Sequence, residues 1–339
     1  MKVSVIIPVY NCQKYLDSCM QSLLRQTLTD CEFIFINDGS QDDSLSILQK
    51  YEAIDSRVIV INQKNGGVSA ARNTGLEIAS GVYVGFVDAD DFVDDDYFEK
   101  LYQVSITYDC DITICDWKGD NERNNRLHLP FPKDVILNES YIESVIYPFL
   151  IQEELLNSVC NKLYRLDLIK EKQILFPVGV ALGEDNIFNI LTFTEANSVY
   201  YMDYCGYYYR EVEGSATRNI INKDYFQQAL SVYREDLGVF KKWNLSEEKI
   251  KELKEKKFIN SVISLTYVYF TSQSSILHRY KYVREMIRNE SVKEILEKRF
   301  LEMLLEKGRY ERVLLKMIKR RQTFGIYCLT LYSRGRNRV

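Results

Sequence analysis

Two rhythms of apolar residues alternate along the first hundred positions. Val3 to Val9 is an almost continuous apolar run, the pattern of a strand covered on both faces. Tyr15, Leu16, Cys19, Met20, Leu23 and Leu24 then recur at helical spacing. "EFIFIN" predicts a second strand and Ser44 to Tyr51 a second helix, with Asp42 or Asp43 as its cap. "RVIVIN" follows, then a helix from about Val68 to Ala79 closed by Gly81, the strand "VYVGFVD", and a helix through Phe98, Leu101 and Tyr102. Four strand-helix units in a row predict an α/β protein with a mainly parallel sheet and helices on both faces.

From about 110 to 215 the rhythm loosens. "DITICDW" and "SVYYMDYCGYYYR" read as strands, with helices near 140 to 157 and 184 to 194 between them. Beyond about 222 the strand signal ends, and segments 224 to 243, 246 to 272, 279 to 306 and 308 to 320 read as helices, so a boundary is expected near 215 to 222. At 339 residues the chain is long enough for one full core and a second domain or appendage. Its 46% hydrophobic and 27% charged residues exclude a disordered or fibrous chain.

The N-terminal stretch is broken by Pro8 well short of a secretory signal, and no apolar run approaches a membrane-spanning length. The eight cysteines include no CxxC pair, and most lie in apolar patterns as buried reduced thiols. The cytoplasm is the expected compartment. Charge is uneven: residues 308 to 339 hold nine Lys or Arg against Glu311 alone, a net +8, which leaves −12 for the rest of a chain whose total is −4. That segment also contains "FGIYCLTLY". A contact with the inner face of an anionic membrane and a solvated helix end packed on the body are both open readings. No nucleic-acid partner is expected.

Ligands of an open parallel sheet gather at the carboxyl ends of its strands. There the chain places "PVYN", "NDGS", "NQKNGGVSAARN" and "DADD". Neither GxGxxG nor GxxxxGK[ST] follows a strand, which removes the main support for a dinucleotide or P-loop reading. Asp38 in "NDGS" suits a hydrogen bond from a base or ribose, and equally suits plain turn chemistry. In "DADD", Asp88 and Asp90 project to one side if strand geometry persists, with Ala89 facing away. Two carboxylates so placed repel unless a cation joins them or one stays protonated. Hard oxygen donors suit Mg²⁺ or Mn²⁺, while solvation of a turn or capping of the next helix is the bland alternative. The two histidines, His128 and His278, belong to no ligand cluster, which argues against zinc.

"VSVIIPVYN", "INDGSQDDS", "NGGVSAARNTGLEIASGVYVGFVDADD" and "GEDNIF" together resemble glycosyltransferase family 2, the inverting sugar-nucleotide transferases of GT-A fold, over roughly residues 1 to 215. The resemblance implies a GT-A domain at 1–218, with a nucleotide-binding half at 1–108 and an acceptor-side half at 109–218, followed by a helical region at 219–339. It implies a nucleotide-sugar donor, most often a UDP-sugar. Pro8, Val9 and Asn11 would line the nucleotide pocket, Asp38 would contact the base, Arg72 would sit near the nucleotide, and Asp88, Ala89 and Asp90 would form the DxD element. Asn37 stands where many relatives have a second Asp.

The family's ED motif would make Asp185 the general base, with Glu184 as fallback or acceptor contact. The helix starting there makes an N-cap role for Asp185 compatible with that. "YYYREVEGS" resembles a segment that would bring Arg210 and Ser215 to the donor phosphates. Asn161 and Lys162 of "NKLY" fit either the acceptor side or a surface helix.

The absence of QxxRW and of spanning segments points away from a processive synthase. The expectation is a metal-dependent enzyme adding one sugar to a glycan acceptor, lipid-linked, in bacterial surface-polysaccharide synthesis, as a monomer or homo-oligomer. The alternative is a catalytically silent sugar-nucleotide or glycan-binding subunit. A nucleotidylyltransferase would need a glycine-rich signature after the first strand.

Overall fold

The computed structural model describes the chain apart from residues 120–125, 181–182, 211, 213–223, 273–274 and 337–339. The chain forms two compact units: Met1–Glu213 with Lys241–Asn244, and Gly214–Phe240 with Leu245–Val339.

In the first unit, β1 (Val3–Val9), β2 (Cys31–Asp38), β3 (Val58–Gln63) and β4 (Tyr83–Phe86) lie parallel in the order β3-β2-β1-β4. All eight residues of β2 are buried, as a strand covered on both faces requires. The connecting helices are α1 (Gln13–Leu24), α2 (Ser44–Glu52) and α3 (Val68–Ile78). α3 lies so close to β1 that a Cβ on Gly75 would meet Ile6 Cγ2 at 2.4 Å, and only glycine permits that approach.

The sheet continues past β4 in the order β4-β9-β6-β10-β5. Here β5 is Phe92–Val93, β6 Ile112–Gly119, β9 Lys162–Arg165 and β10 Ser198–Tyr209, while β7 (Arg126–Leu127) pairs with β6 and β8 (Val135–Asn138) with β10. β6 and β10 are parallel, whereas β9 runs antiparallel to both β4 and β6. The helices of this half are α4 (Tyr97–Thr107), α5 (Glu139–Tyr141), a π turn Ile142–Ile146, α6 (Tyr147–Gln152), α7 (Leu166–Glu171) and α8 (Glu184–Glu195).

Two expectations change. "NKLY" is no surface helix: Asn161 is 2% and Lys162 0% exposed, and the segment enters the middle of the sheet as β9. The fourth strand stops at Phe86, and residues 88 to 91 form a turn in which Asp91 N–H donates to the Asp88 carbonyl at 3.0 Å. Strand alternation therefore does not set the relation between Asp88 and Asp90.

In the second unit the described residues form only helices: α9 (Tyr225–Arg234), a 3₁₀ turn Val239–Lys242 that leads into the first unit's short return segment, α10 (Glu247–Thr271), α11 (Ile276–Met286), α12 (Glu290–Glu306), α13 (Arg309–Lys319) and α14 (Thr323–Arg336). The helix expected over 279–306 is two, because the Asn289 side chain caps a new helix by accepting from Ser291 N–H at 3.0 Å. α14 is an additional helix within the basic segment. No described helix is long and apolar enough to cross a membrane. All eight cysteines are free, and Cys19, Cys31, Cys110, Cys115 and Cys160 are buried.

Candidate active site

The loops after β1, β2 and β3 are tied together by polar side chains. Asn11 has a left-handed backbone (φ 52°); its N–H donates to Ser40 Oγ at 3.0 Å, and its Oδ1 accepts from Gln41 N–H at 2.8 Å. Pro8 is half-buried and Val9 fully buried at the end of β1. The Asp38 carboxylate, at the end of β2, accepts from Gly66 N–H at 2.9 Å, Gly67 N–H at 2.8 Å and Gln63 Nε2 at 2.8 Å. It thereby fixes the glycine loop that opens α3, where Gly67 adopts φ +86°. Turn chemistry is thus a real part of what Asp38 does. A carboxylate has about four acceptor sites.

α3 carries Arg72 inward to 3% exposure. Its guanidinium lies 5.2 Å over the Phe176 ring, which stacks on Phe188 at 4.0 Å. Nη2 donates to Asp88 Oδ1 at 3.0 Å and Nη1 to Asp185 Oδ1 at 2.5 Å, while Glu184 Oε1 is 3.8 Å from Nη1. Burial works against the charge on Arg72, but Asp185, then Asp88 and Glu184, outweigh it and hold the guanidinium above its ordinary value. Its Nε has no acceptor among the described residues.

One arginine thus joins the turn after β4 to the start of α8. The N-cap of α8 is Gly183, left-handed at φ 93°, and no side chain caps the helix. Asp185 therefore sits inside the first turn with its carboxylate directed to Arg72, so the N-cap role falls away. Burial pushes its carboxyl up to about 6, Arg72 opposes the shift, and Glu184 and Asp88 add to it. The helix N-terminus favours the ionised form.

In the 88–91 turn, Ala89 is buried and Asp90 is raised to about 6 by burial and by Asp88. Asp91 is 1% exposed, and burial followed by Asp88 pushes its carboxyl well up. It accepts from Tyr207 Oη at 2.5 Å and from Arg210 N–H at 2.8 Å, fastening the end of β10 to the turn. The Arg210 guanidinium lies between Tyr15 and Phe92 and donates to Ser18 Oγ at 3.1 Å. Ser215 lies outside the described residues.

The structure brings Arg72, Asp88, Glu184 and Asp185 into one cluster, with Asp90 and Asp91 on the same turn as Asp88. Sequence reasoning passed over Asp91, the third acid of "DADD", although its place beside the pair was a visible signal. It also passed over Phe176, which carried none, and weighed Tyr207, with the other tyrosines before Arg210, only as core strand or sugar-stacking platform. Among the described residues no three His, Cys, Asp or Glu side chains converge to cage a metal by themselves. Mg²⁺ and Mn²⁺ sites that borrow phosphate oxygens need only one or two protein carboxylates. The donor pair of Asp88 and Asp90, in which burial and the neighbouring Asp88 penalise ionisation of Asp90, fits that mode.

Residues 4–171 match the profile of Glycosyl transferase family 2. The chain is 37% identical over 227 residues to "Glycosyltransferase GlyA" of Streptococcus pneumoniae serotype 4, a match spanning 64% of this chain and 32% of GlyA, less than two thirds of that relative's length. It is 30% identical over 298 residues to EpsH of Bacillus subtilis (strain 168), named as a glycosyltransferase, across 86% of this chain and 82% of EpsH. The structure of S. aureus TarS 1-349 in complex with UDP-GlcNAc superposes with a TM-score of 0.68 at 22% identity, covering 99% of this chain and 92% of that one. The mostly parallel sheet with flanking helices is the GT-A fold, followed by a C-terminal helical region. The chain belongs to glycosyl transferase family 2.

Proposed function

We propose that this chain is a metal-dependent, inverting hexosyltransferase that moves a single sugar from a UDP-sugar, such as UDP-galactose, UDP-glucose or UDP-N-acetylglucosamine, to a lipid-linked glycan in the synthesis of a bacterial surface polysaccharide. The observation that carries the reading is the Arg72 bridge, which sets Asp185 against the Asp88 turn although Arg72 and Asp185 are 113 residues apart in sequence.

Asp185 is the general base. Raised to about 6, its carboxylate is mostly ionised at neutral pH and still basic enough to take a proton from an acceptor hydroxyl. Arg72 orients it and places positive charge beside the departing diphosphate. Asp88 and Asp90 hold Mn²⁺ or Mg²⁺, which supplies Lewis-acid stabilisation of the leaving group. Asp91, through Tyr207 and the Arg210 backbone, keeps that turn in register with β10. Pro8, Val9, Asn11 and Asp38 form the nucleotide side. Asp38 acts there by holding the glycine loop, with a spare lone pair for the base, and Arg210 and Ser215 are assigned to the donor phosphates. Glu184 contacts the acceptor.

The test is a panel of nucleotide-sugars incubated with the chain and Mn²⁺ and read by nucleoside diphosphate release. Slow release from one UDP-sugar, accelerated by a glycan acceptor, is expected. Saturable binding without turnover would instead identify a catalytically silent binding subunit.

A further inference from the structure

We propose that the outward faces of α13 and α14 form a docking surface for an anionic phospholipid bilayer. On α14, Thr323, Ile326 and Thr330 are buried at 4%, 0% and 1%, so the opposite face looks outward. That face holds Phe324, Cys328, Leu331 and Tyr332, spaced four, seven and eight residues from Phe324, all exposed, with Phe324 at 67% and Tyr332 at 65%. Residues at this spacing form one stripe along a helix. A stripe of large apolar side chains in water marks a surface meant to be covered.

The charge around the stripe identifies the cover. α13 turns Leu314, Leu315 and Ile318 into the core and leaves Arg309, Arg312, Lys316 and Lys319 exposed, and Arg320 and Arg321 are exposed just beyond its end. Among the described residues none of these six cations lies within 4 Å of a carboxylate on another helix, and only Arg321 acts at longer range, on Glu290 of α12. Arg312 instead donates to the carbonyls of Lys307 at 2.7 Å and Leu305 at 3.2 Å, and Lys319 covers the Phe300 ring. The net +8 of residues 308–339 stands against −12 elsewhere, so positive charge is gathered in the segment that carries the apolar stripe. A second copy of the same face would bring like charges together. An anionic lipid surface answers both features: acyl chains accept Phe324, Leu331 and the Tyr332 ring, and head-group phosphates accept the lysines and arginines. The inference concerns binding, and stands whether or not the proposed reaction is correct.

The experiment is flotation of the full chain with vesicles of equal parts phosphatidylglycerol and phosphatidylcholine, compared with phosphatidylcholine alone. Wild type floats with the first and stays behind with the second, and added salt weakens the binding. Phe324→Ser/Leu331→Ser/Tyr332→Ser lowers partitioning roughly tenfold or more. Lys316→Gln/Lys319→Gln/Arg320→Gln lowers it about fivefold per cation removed. Since all six side chains are exposed, both variants keep the wild-type circular dichroism spectrum and the wild-type rate of UDP release without lipid. The proposal is overturned if wild type ignores anionic vesicles, or if both variants float like wild type. A dimer that the apolar variant dissolves would also overturn it, by showing that the stripe joins two copies.

Discussion

Two groups of carboxylates in the first unit are balanced in opposite ways. Around Asp116, whose side chain is 0% exposed, Arg126 Nε approaches at 2.7 Å, His128 Nδ1 at 2.7 Å and Lys133 Nζ at 3.2 Å, and Tyr201 donates its hydroxyl to the other oxygen. Asp203 takes Arg126 and Lys133 from the far side, and these cations hold its carboxyl below the usual range. Around Arg72 the ratio is reversed. Asp88, Glu184 and Asp185 crowd one buried guanidinium, Asp90 and Asp91 adjoin, and Asp90, Asp91 and Asp185 are all pushed up. The first group is a completed brace across β6, β7 and β10. The second retains repulsion that a cation would relieve, and such imbalance marks a place for ligand.

The largest effect should follow from removing the proposed base. Asp185→Asn is expected to lower transfer by ~10²–10⁴-fold, the range for a positioned general base, while Asp116→Asn keeps the wild-type turnover of whatever protein folds. Undiminished transfer by Asp185→Asn would sink the base assignment. Next, Mn²⁺ at a hundred times its dissociation constant should stabilise wild type by about 2.7 kcal/mol in urea unfolding. The gain should survive Asp116→Asn and vanish in Asp88→Asn/Asp90→Asn. Equal gains in all three proteins would place the ion elsewhere.

Stability in the absence of metal should separate the groups the other way. Asp116→Asn strands partly buried cations and is expected to cost about 1–3 kcal/mol, less than a fully buried pair because Arg126, His128 and Lys133 stay in contact with water. Asp88→Asn removes one acid from a surplus, so it should leave stability within about 1 kcal/mol of wild type or raise it. Comparable losses in the two variants would erase the distinction.

How much of this the sequence disclosed depends on how local the signal is. Strands β1 and β2 are buried, largely apolar runs because helices cover both faces, and the ends of β1, β2 and β4 show where Asn11, Asp38 and Asp88 must gather. β9 gives no such signal: Lys162–Arg165 is four residues long and begins on a buried lysine. Its ammonium is satisfied by the carbonyls of Leu156 at 3.1 Å and Ser158, and by Asn161 Oδ1 at 3.0 Å. A polar residue neutralised by backbone oxygens reads as exposed in any pattern of hydrophobicity. Asp88 and Asp185 could each be picked out as acids near element ends, but their joining through Arg72 is a tertiary fact. The same holds for the Phe176 floor, which comes from an irregular segment.

The dependence on pH tests the imbalance most directly. Asp185 is raised in the folded chain to about 6 from an ordinary value near 3.8. The fold therefore binds this proton more tightly than the unfolded chain does. The stability it contributes is fully present below the unfolded value and is lost as pH rises from about 4 to about 6. Catalysis needs the opposite form, so kcat/KM should climb with pH through a limb centred near 6 and level off above it, falling about tenfold for each unit below the midpoint. Urea midpoints from pH 4 to 7, compared between wild type and Asp185→Asn, isolate this carboxyl from Asp90 and Asp91, because those groups titrate in both proteins. In the variant the pH dependence should be shallower over that window. A catalytic limb centred near 4, with parallel stability profiles, would mean that Arg72 fully compensates Asp185 and that the site is as balanced as the brace around Asp116.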